Sequence, residues 1–85
     1  MSEEEVGKIT HYFSKIQVSV INIEKGELNV GDTIHIKGAT TNFTQKIDSM
    51  QIEHETVEKA TAGQSIGLKV KDAVREHDVV YKVTE

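Results

Sequence analysis

Four histidines are the side chains in this sequence best suited to metal binding or proton transfer. No two of them are spaced by the two or four positions typical of a local metal motif, and there is no cysteine to complete a ligand set. The serines stand in no sequence context that would let a base activate them. We therefore predict no metal, no cofactor and no catalytic residue. The residues considered are His11, His35, His54, His77, Ser14, Ser19, Ser49 and Ser65.

The segment from Gly26 to Thr33 is close to a phosphate-binding loop but lacks its essential lysine. Asp32 stands at the lysine position, and the residues that follow alternate like a strand. A phosphate loop needs the lysine on the terminal phosphates and a following helix whose amide groups face the anion. We therefore predict that this chain alone binds no nucleotide, and that it is not an enzyme.

Length and charge restrict the remaining classes. The chain has 85 residues, which is enough for one domain. Its formal net charge of −4 disfavours binding to nucleic acid through the overall charge of the protein. The start of the chain is acidic and no apolar stretch approaches the length of a membrane span, so we predict a cytoplasmic protein without membrane contact.

Apolar and β-branched residues recur at period two along most of the chain, which predicts strands. Six such segments favour an all-β fold, a single closed six-stranded antiparallel β-barrel over residues 6–85, because closure removes exposed edges. Residues 1–5 are predicted to be a disordered acidic tail. Phase shifts predict one bulge within residues 16–23 and another near Asp48 and Ser49. The residues predicted mainly inside are Val18, Val20, Ile34, Ile36, Ile47, Ile66, Leu68, Val79 and Tyr81.

Three motifs in order carry a family resemblance. Three stretches resemble the second domain of translational GTPases such as elongation factor Tu: the run from Gly26 to Gly38, the residues from Ile47 to Gln51 followed by Val57, Ala60 and the segment from Ala62 to Leu68, and the closing stretch from Asp78 to Tyr81. The chain also resembles small stand-alone elongation factor-like proteins and the C-terminal barrel of collagenase-like peptidase family members linked to RNA modification. The resemblance implies a six-stranded antiparallel barrel. Ile21 and Asn22 depart from the family pattern, so no transfer-RNA-binding residues are carried over.

The resemblance implies a non-catalytic binding module whose partner is RNA, the ribosome, or a protein associated with translation or RNA modification. A polar loop followed by a strand with Met50 and Ile52 out of phase with Phe43 and Ile47 predicts a partner surface, unless a bulge returns Met50 to the core. The alternative is a protein–protein adaptor with no nucleic-acid role. Lysines on alternating strand positions predict a solvated face. A local basic stripe on the acidic chain is the alternative interpretation of these lysines. The predicted partner-binding residues are Thr40, Thr41, Asn42, Gln45, Met50, Gln51, Ile52 and His54.

Overall fold

The computed structural model describes residues 2–84, and in this range the chain forms ten strands and no helix. All pairings are antiparallel, which confirms the prediction of an all-β fold. No helix of residues 2–84 has the length and apolar character to cross a membrane. The strands are β1 (Ser2–Phe13), β2 (Val18–Ile23), β3 (Glu27–Asn29), β4 (Thr33–Lys37), β5 (Asn42–Lys46), β6 (Met50–Ile52), β7 (Glu55–Val57), β8 (Lys59–Thr61), β9 (Ser65–Lys69) and β10 (Val79–Thr84).

Eight strands form one sheet in the order β5-β4-β10-β1-β2-β9-β6-β7, and β3 and β8 form a separate pair. Within residues 2–84 no ladder joins the edge strands β5 and β7, so the prediction of a single closed six-stranded barrel is wrong in strand number and in closure. The single strand that we predicted to carry both Phe43 and Met50 is divided between β5 and β6. Ile47 leaves the sheet because its backbone bonds to Asp32 and Gly31 instead, at 2.8 and 2.9 Å.

The first residues of the chain belong to a strand, although we predicted residues 1–5 to be a disordered tail. Ser2 to Glu5 pair with the end of β10, and Ser2 Oγ lies 2.6 Å from Thr84 Oγ1. This pairing supplies backbone partners to the end of β10, so the acidic residues extend the sheet. Met1 lies outside the described residues.

The irregularities that bend the sheet lie in β1 and not in β2. The register of β1 shifts between Glu5 and Gly7 against β10, and between Ile9 and His11 against β2. The bulge predicted within residues 16–23 is absent. Ser19, Ile21 and Ile23 face inward in one unbroken alternation, so no extra residue is needed to change phase. The Ser19 hydroxyl is fully buried and donates to the Leu68 carbonyl at 3.0 Å, which allows a serine to occupy a core position.

The core is a single cluster of aliphatic side chains with one methionine. The prediction is confirmed for Ile34, Ile36, Ile47, Ile66 and Leu68, which are all buried. It is wrong for Val18, Val20, Val79 and Tyr81, which are half-buried. In β2 and β10 the opposite phase points inward, so the core contains Ile21, Ile23 and Val80.

Candidate binding surface

The polar loop before β5 is mostly occupied by contacts within the fold. Thr40 is exposed, but Thr41 is buried and its carbonyl accepts a bond from the Gly38 amide at 2.7 Å. The Asn42 side-chain oxygen accepts from the Nε2 of His35. Of the predicted residues in this loop, Thr40 is therefore the one that presents its side chain freely.

His35 lies between two acceptors. Its Nδ1 is 2.8 Å from the Glu3 carboxylate, its Nε2 faces Asn42, and the side chain is 14% exposed. The hydrogen bond to Asn42 raises the pKa of His35, and the bond to Glu3 and its negative charge raise it further. Partial burial and the charge of Lys37 act in the opposite direction. Through these two contacts the His35 ring joins the start of β1 to β4 and β5, and both of its nitrogens donate when the ring is protonated.

Met50 does not belong to a partner surface, which corrects our prediction. It pairs with Leu68 and is 1% exposed, because the break in the strand at Asp48 and Ser49 returns the chain to the inward phase. Ile52 is half-buried against the same core. Gln51 and His54, the other two predicted residues of this stretch, are exposed, and His54 has a left-handed backbone with φ of 68°. The predicted apolar pair therefore packs inward.

Gln45 bridges a gap between the edge strand β5 and the end of β9. Its side-chain amide donates to the Lys69 carbonyl and accepts from the Lys71 amide, each at 3.0 Å. This amide acts as one peptide group of a neighbouring strand would, since it satisfies the carbonyl of the last residue of β9 and the N–H of Lys71, two residues later. A residue predicted to contact a partner thus has a structural role.

An open cleft of about 450 Å³ lies beside this bridge. The cleft is formed by the end of β5, the link to β6 and the end of β9, and three lysines line it. We call it the lysine cleft. Its lining residues are Gln17, Gln45, Lys46, Asp48, Ser49, Lys69, Val70 and Lys71.

The cleft is a local excess of positive charge on an acidic chain. None of the ion pairs within residues 2–84 involves Lys46, Lys69 or Lys71, and Asp48 is the one carboxylate that lines the cleft. The Lys71 ammonium lies 5.9 Å from the centre of the Phe43 ring, within range of a cation–π contact. The three ammonium groups are thus available to an anionic ligand.

Sequence reasoning did not single out these lysines as a site. Lys69 and Lys71 carry a faint signal, a Lys-x-Lys spacing that places both side chains on one side of an extended chain. Lys46 is far from Lys69 and Lys71 in sequence. It comes close to them only in the folded chain, because it lies at the end of β5 on the opposite side of the cleft. Elsewhere in residues 2–84 no group of three His, Asp or Glu residues is arranged to hold a metal ion.

A family model described as elongation factor Tu domain 2 matches residues 17–79, most of the chain. The chain belongs to this family. It is 47% identical over 78 residues to a collagenase of Porphyromonas gingivalis, an alignment that covers 91% of this chain and 22% of the relative. It is 39% identical over 82 residues to an uncharacterized protease of Methanocaldococcus jannaschii. That alignment covers 95% of this chain and 20% of the relative.

This elongation factor Tu domain 2 module also matches a solved structure, the C-terminal domain of a Geobacillus thermoleovorans protein described as a U32 peptidase. The TM-score is 0.87 at 21% identity, and the match covers 95% of this chain and 93% of that one. At this identity the likeness shows the fold alone. The chain spans about a fifth of the length of the curated relatives it matches. The resemblance to elongation factor Tu and to collagenase-like peptidases is thus confirmed.

Proposed function

We propose that this elongation factor Tu domain 2 module binds RNA through the lysine cleft and carries out no catalysis. The observation that carries the proposal is the set of three lysines, Lys46, Lys69 and Lys71, which line one open cleft without ion-pair partners in residues 2–84. Lysines that neutralise phosphates release counterions from the nucleic acid, and this release favours binding.

The charge of the whole chain does not prevent such binding. At physiological ionic strength charges more than about 8 Å apart are largely screened, so a phosphate in the cleft is affected mainly by the groups next to it. There the three lysines outnumber Asp48. The family takes its name from a translation factor, which supports RNA over other polyanions, and a translation or RNA-modification partner is the expected context.

The absence of catalysis is a separate part of the proposal. The relatives are named as collagenase and protease, but this chain spans about a fifth of their length. We expect the module to supply binding to whatever catalytic unit accompanies it. Incubation of the purified chain with gelatin should release no peptides, and release that is lost in a point variant of this chain would contradict this part.

The binding proposal is tested by fluorescence anisotropy with a labelled oligouridylate at several salt concentrations. For single-stranded RNA the logarithm of the association constant should fall with the logarithm of salt by about 0.7 per phosphate contacted. Lys46→Gln, Lys69→Gln and Lys71→Gln should each weaken binding and reduce this slope by about 0.7. Lys59→Gln is the matched control, because Lys59 lies on β8 outside the cleft and is paired with Glu27 at 2.8 Å.

Two outcomes would contradict the proposal. If the three cleft variants bind as tightly as Lys59→Gln, the cleft is not the RNA site. If an oligoglutamate of equal charge competes as well as unlabelled RNA, the cleft recognises acidic protein segments, and the adaptor function is favoured instead.

A further inference from the structure

An exposed aromatic pair lies on the outer face of the hairpin formed by β1 and β2. Phe13 is 52% exposed. The ring of His11 stacks beside it, with centroids 6.4 Å apart and an interplanar angle of 26°. We call His11 and Phe13 the aromatic platform.

Strand pairing places this platform on the same face as the lysine cleft. Phe13 lies directly opposite Val18, and Val18 lies directly opposite Lys69. Residues paired in this way point to the same side of a sheet. Phe13 and Lys69 are therefore about 10 Å apart, two strand spacings, with the half-buried Val18 between them.

A second groove extends from the lysine cleft as far as Val18, the cross-strand partner of Phe13. Its volume is about 210 Å³, and it shares Ser49 and Lys69 with the lysine cleft. Gly67 contributes no side chain, so the floor of the groove is backbone beside Val18. The cleft and the groove together form one continuous surface that leads towards the platform.

We propose that the RNA held in the lysine cleft is single-stranded and that one of its bases stacks on the aromatic platform of Phe13 and His11. This inference rests on the function proposed above. Phosphates occupy the cleft, where the ammonium groups are, and the strand follows the groove across Val18. A base then lies on the ring of Phe13, as is common where single strands meet aromatic side chains.

The charges assign opposite ends of this surface to phosphate and base. The Glu76 carboxylate lies 3.9 Å from His11 Nδ1, so the platform end disfavours a phosphate, while the three lysines attract one at the other end. A duplex cannot use this arrangement, because its bases are already stacked inside the helix and present no free face.

The experiment compares binding of a labelled oligouridylate with binding of an RNA duplex of equal length, using the whole chain. We expect the single strand to bind more tightly, and Phe13→Ala to weaken it at least about fivefold, the lower end of the range for base–aromatic stacking. Phe13→Tyr should bind as the wild type does, whereas Phe13→Leu should be weakened, because it keeps apolar surface but has no ring.

Ile16→Ala is the matched control, since Ile16 is 60% exposed on the same hairpin and belongs to neither the platform nor the groove. Two outcomes overturn this inference and leave the proposed function standing. One is equal binding of duplex and single strand. The other is wild-type affinity in Phe13→Ala or Phe13→Leu while the cleft variants lose binding. Failure of the wild type to bind either RNA overturns both. Because Phe13 is exposed, unfolding midpoints of all variants should match the wild type.

Discussion

The carbonyl oxygen of Asn22 occupies the space beside Gly7 in which any other residue would carry its Cβ atom. Gly7 lies at the bulge of β1 and pairs with both Ile23 and Val80, so backbone surrounds it on two sides. Gly7→Ala should therefore lower the free energy of unfolding by about 1–3 kcal/mol, the usual cost of overpacking. Urea denaturation measures this change.

Gly67→Ala is the control for that experiment. A Cβ there would meet Val18 at 3.7 Å, an ordinary contact, so its stability should stay near that of the wild type. Equal stability of the two variants would show that the close approach at Gly7 relaxes at little cost.

His35 should make stability depend on pH. Because the folded state raises its pKa above 6.5, chiefly through Asn42 and then Glu3, its contribution is fully present below pH 6.5 and is lost as pH rises through the raised pKa. The free energy of unfolding should thus fall as pH rises above about 6.5. His35→Gln should remove this part of the decline, as measured by denaturation at each pH. His54→Gln should retain it, since His54 lies exposed in a turn. A wild-type decline unchanged in His35→Gln would refute the assignment.

Met50 should behave as a core residue. Met50→Ala should cost about 2–5 kcal/mol of unfolding free energy, because it leaves a cavity beside Leu68. Met50→Asp should not fold, since it buries a carboxylate without a partner. Gln51→Asp, one position along and exposed, should fold normally. Circular dichroism and thermal melts distinguish these results, and a stable Met50→Asp would contradict the inward orientation.

The Gln45 bridge should control local opening of the gap. Gln45→Ala removes the acceptor of the Lys71 amide, so exchange of that amide hydrogen should accelerate, with a loss of up to about 1–2 kcal/mol for two hydrogen bonds. The Val70 amide should be affected less, because it bonds to the Gln17 backbone carbonyl at 2.9 Å. Hydrogen exchange followed by NMR tests this, and equal acceleration at both amides would indicate global destabilisation instead.

The sequence predicts the strands well where polar and apolar residues alternate without interruption, as at Ile34 and Ile36. The sequence does not predict which side chains face inward where both alternating sets of residues are apolar. In β10, Val79, Val80 and Tyr81 are consecutive, so the pattern does not reveal which phase faces the core. In β2 the first inward position is Ser19, a polar residue. It becomes a core residue only through its bond to Leu68, a partner distant in sequence.

The binding surface was less predictable for a similar reason. The cleft is lined by the end of β5, the link to β6 and residues 69–71, which are far apart in sequence, and no local pattern records that they come together. Asn42 and Gln45 have the polar character of contact residues, but their side chains form hydrogen bonds within the fold, and Thr41 is buried. Polar type alone does not distinguish a side chain that binds a partner from one that satisfies the backbone.

The pairing of Ser2 with Thr84 also determines how the domain responds to mechanical load. Both residues lie at the same end of the antiparallel ladder between β1 and β10. Tension applied between them acts across the strands, and the hydrogen bonds of that ladder then break one after another. A shear geometry would instead load all of the bonds together. The module therefore opens as a zipper does, beginning at the rungs nearest Ser2 and Thr84.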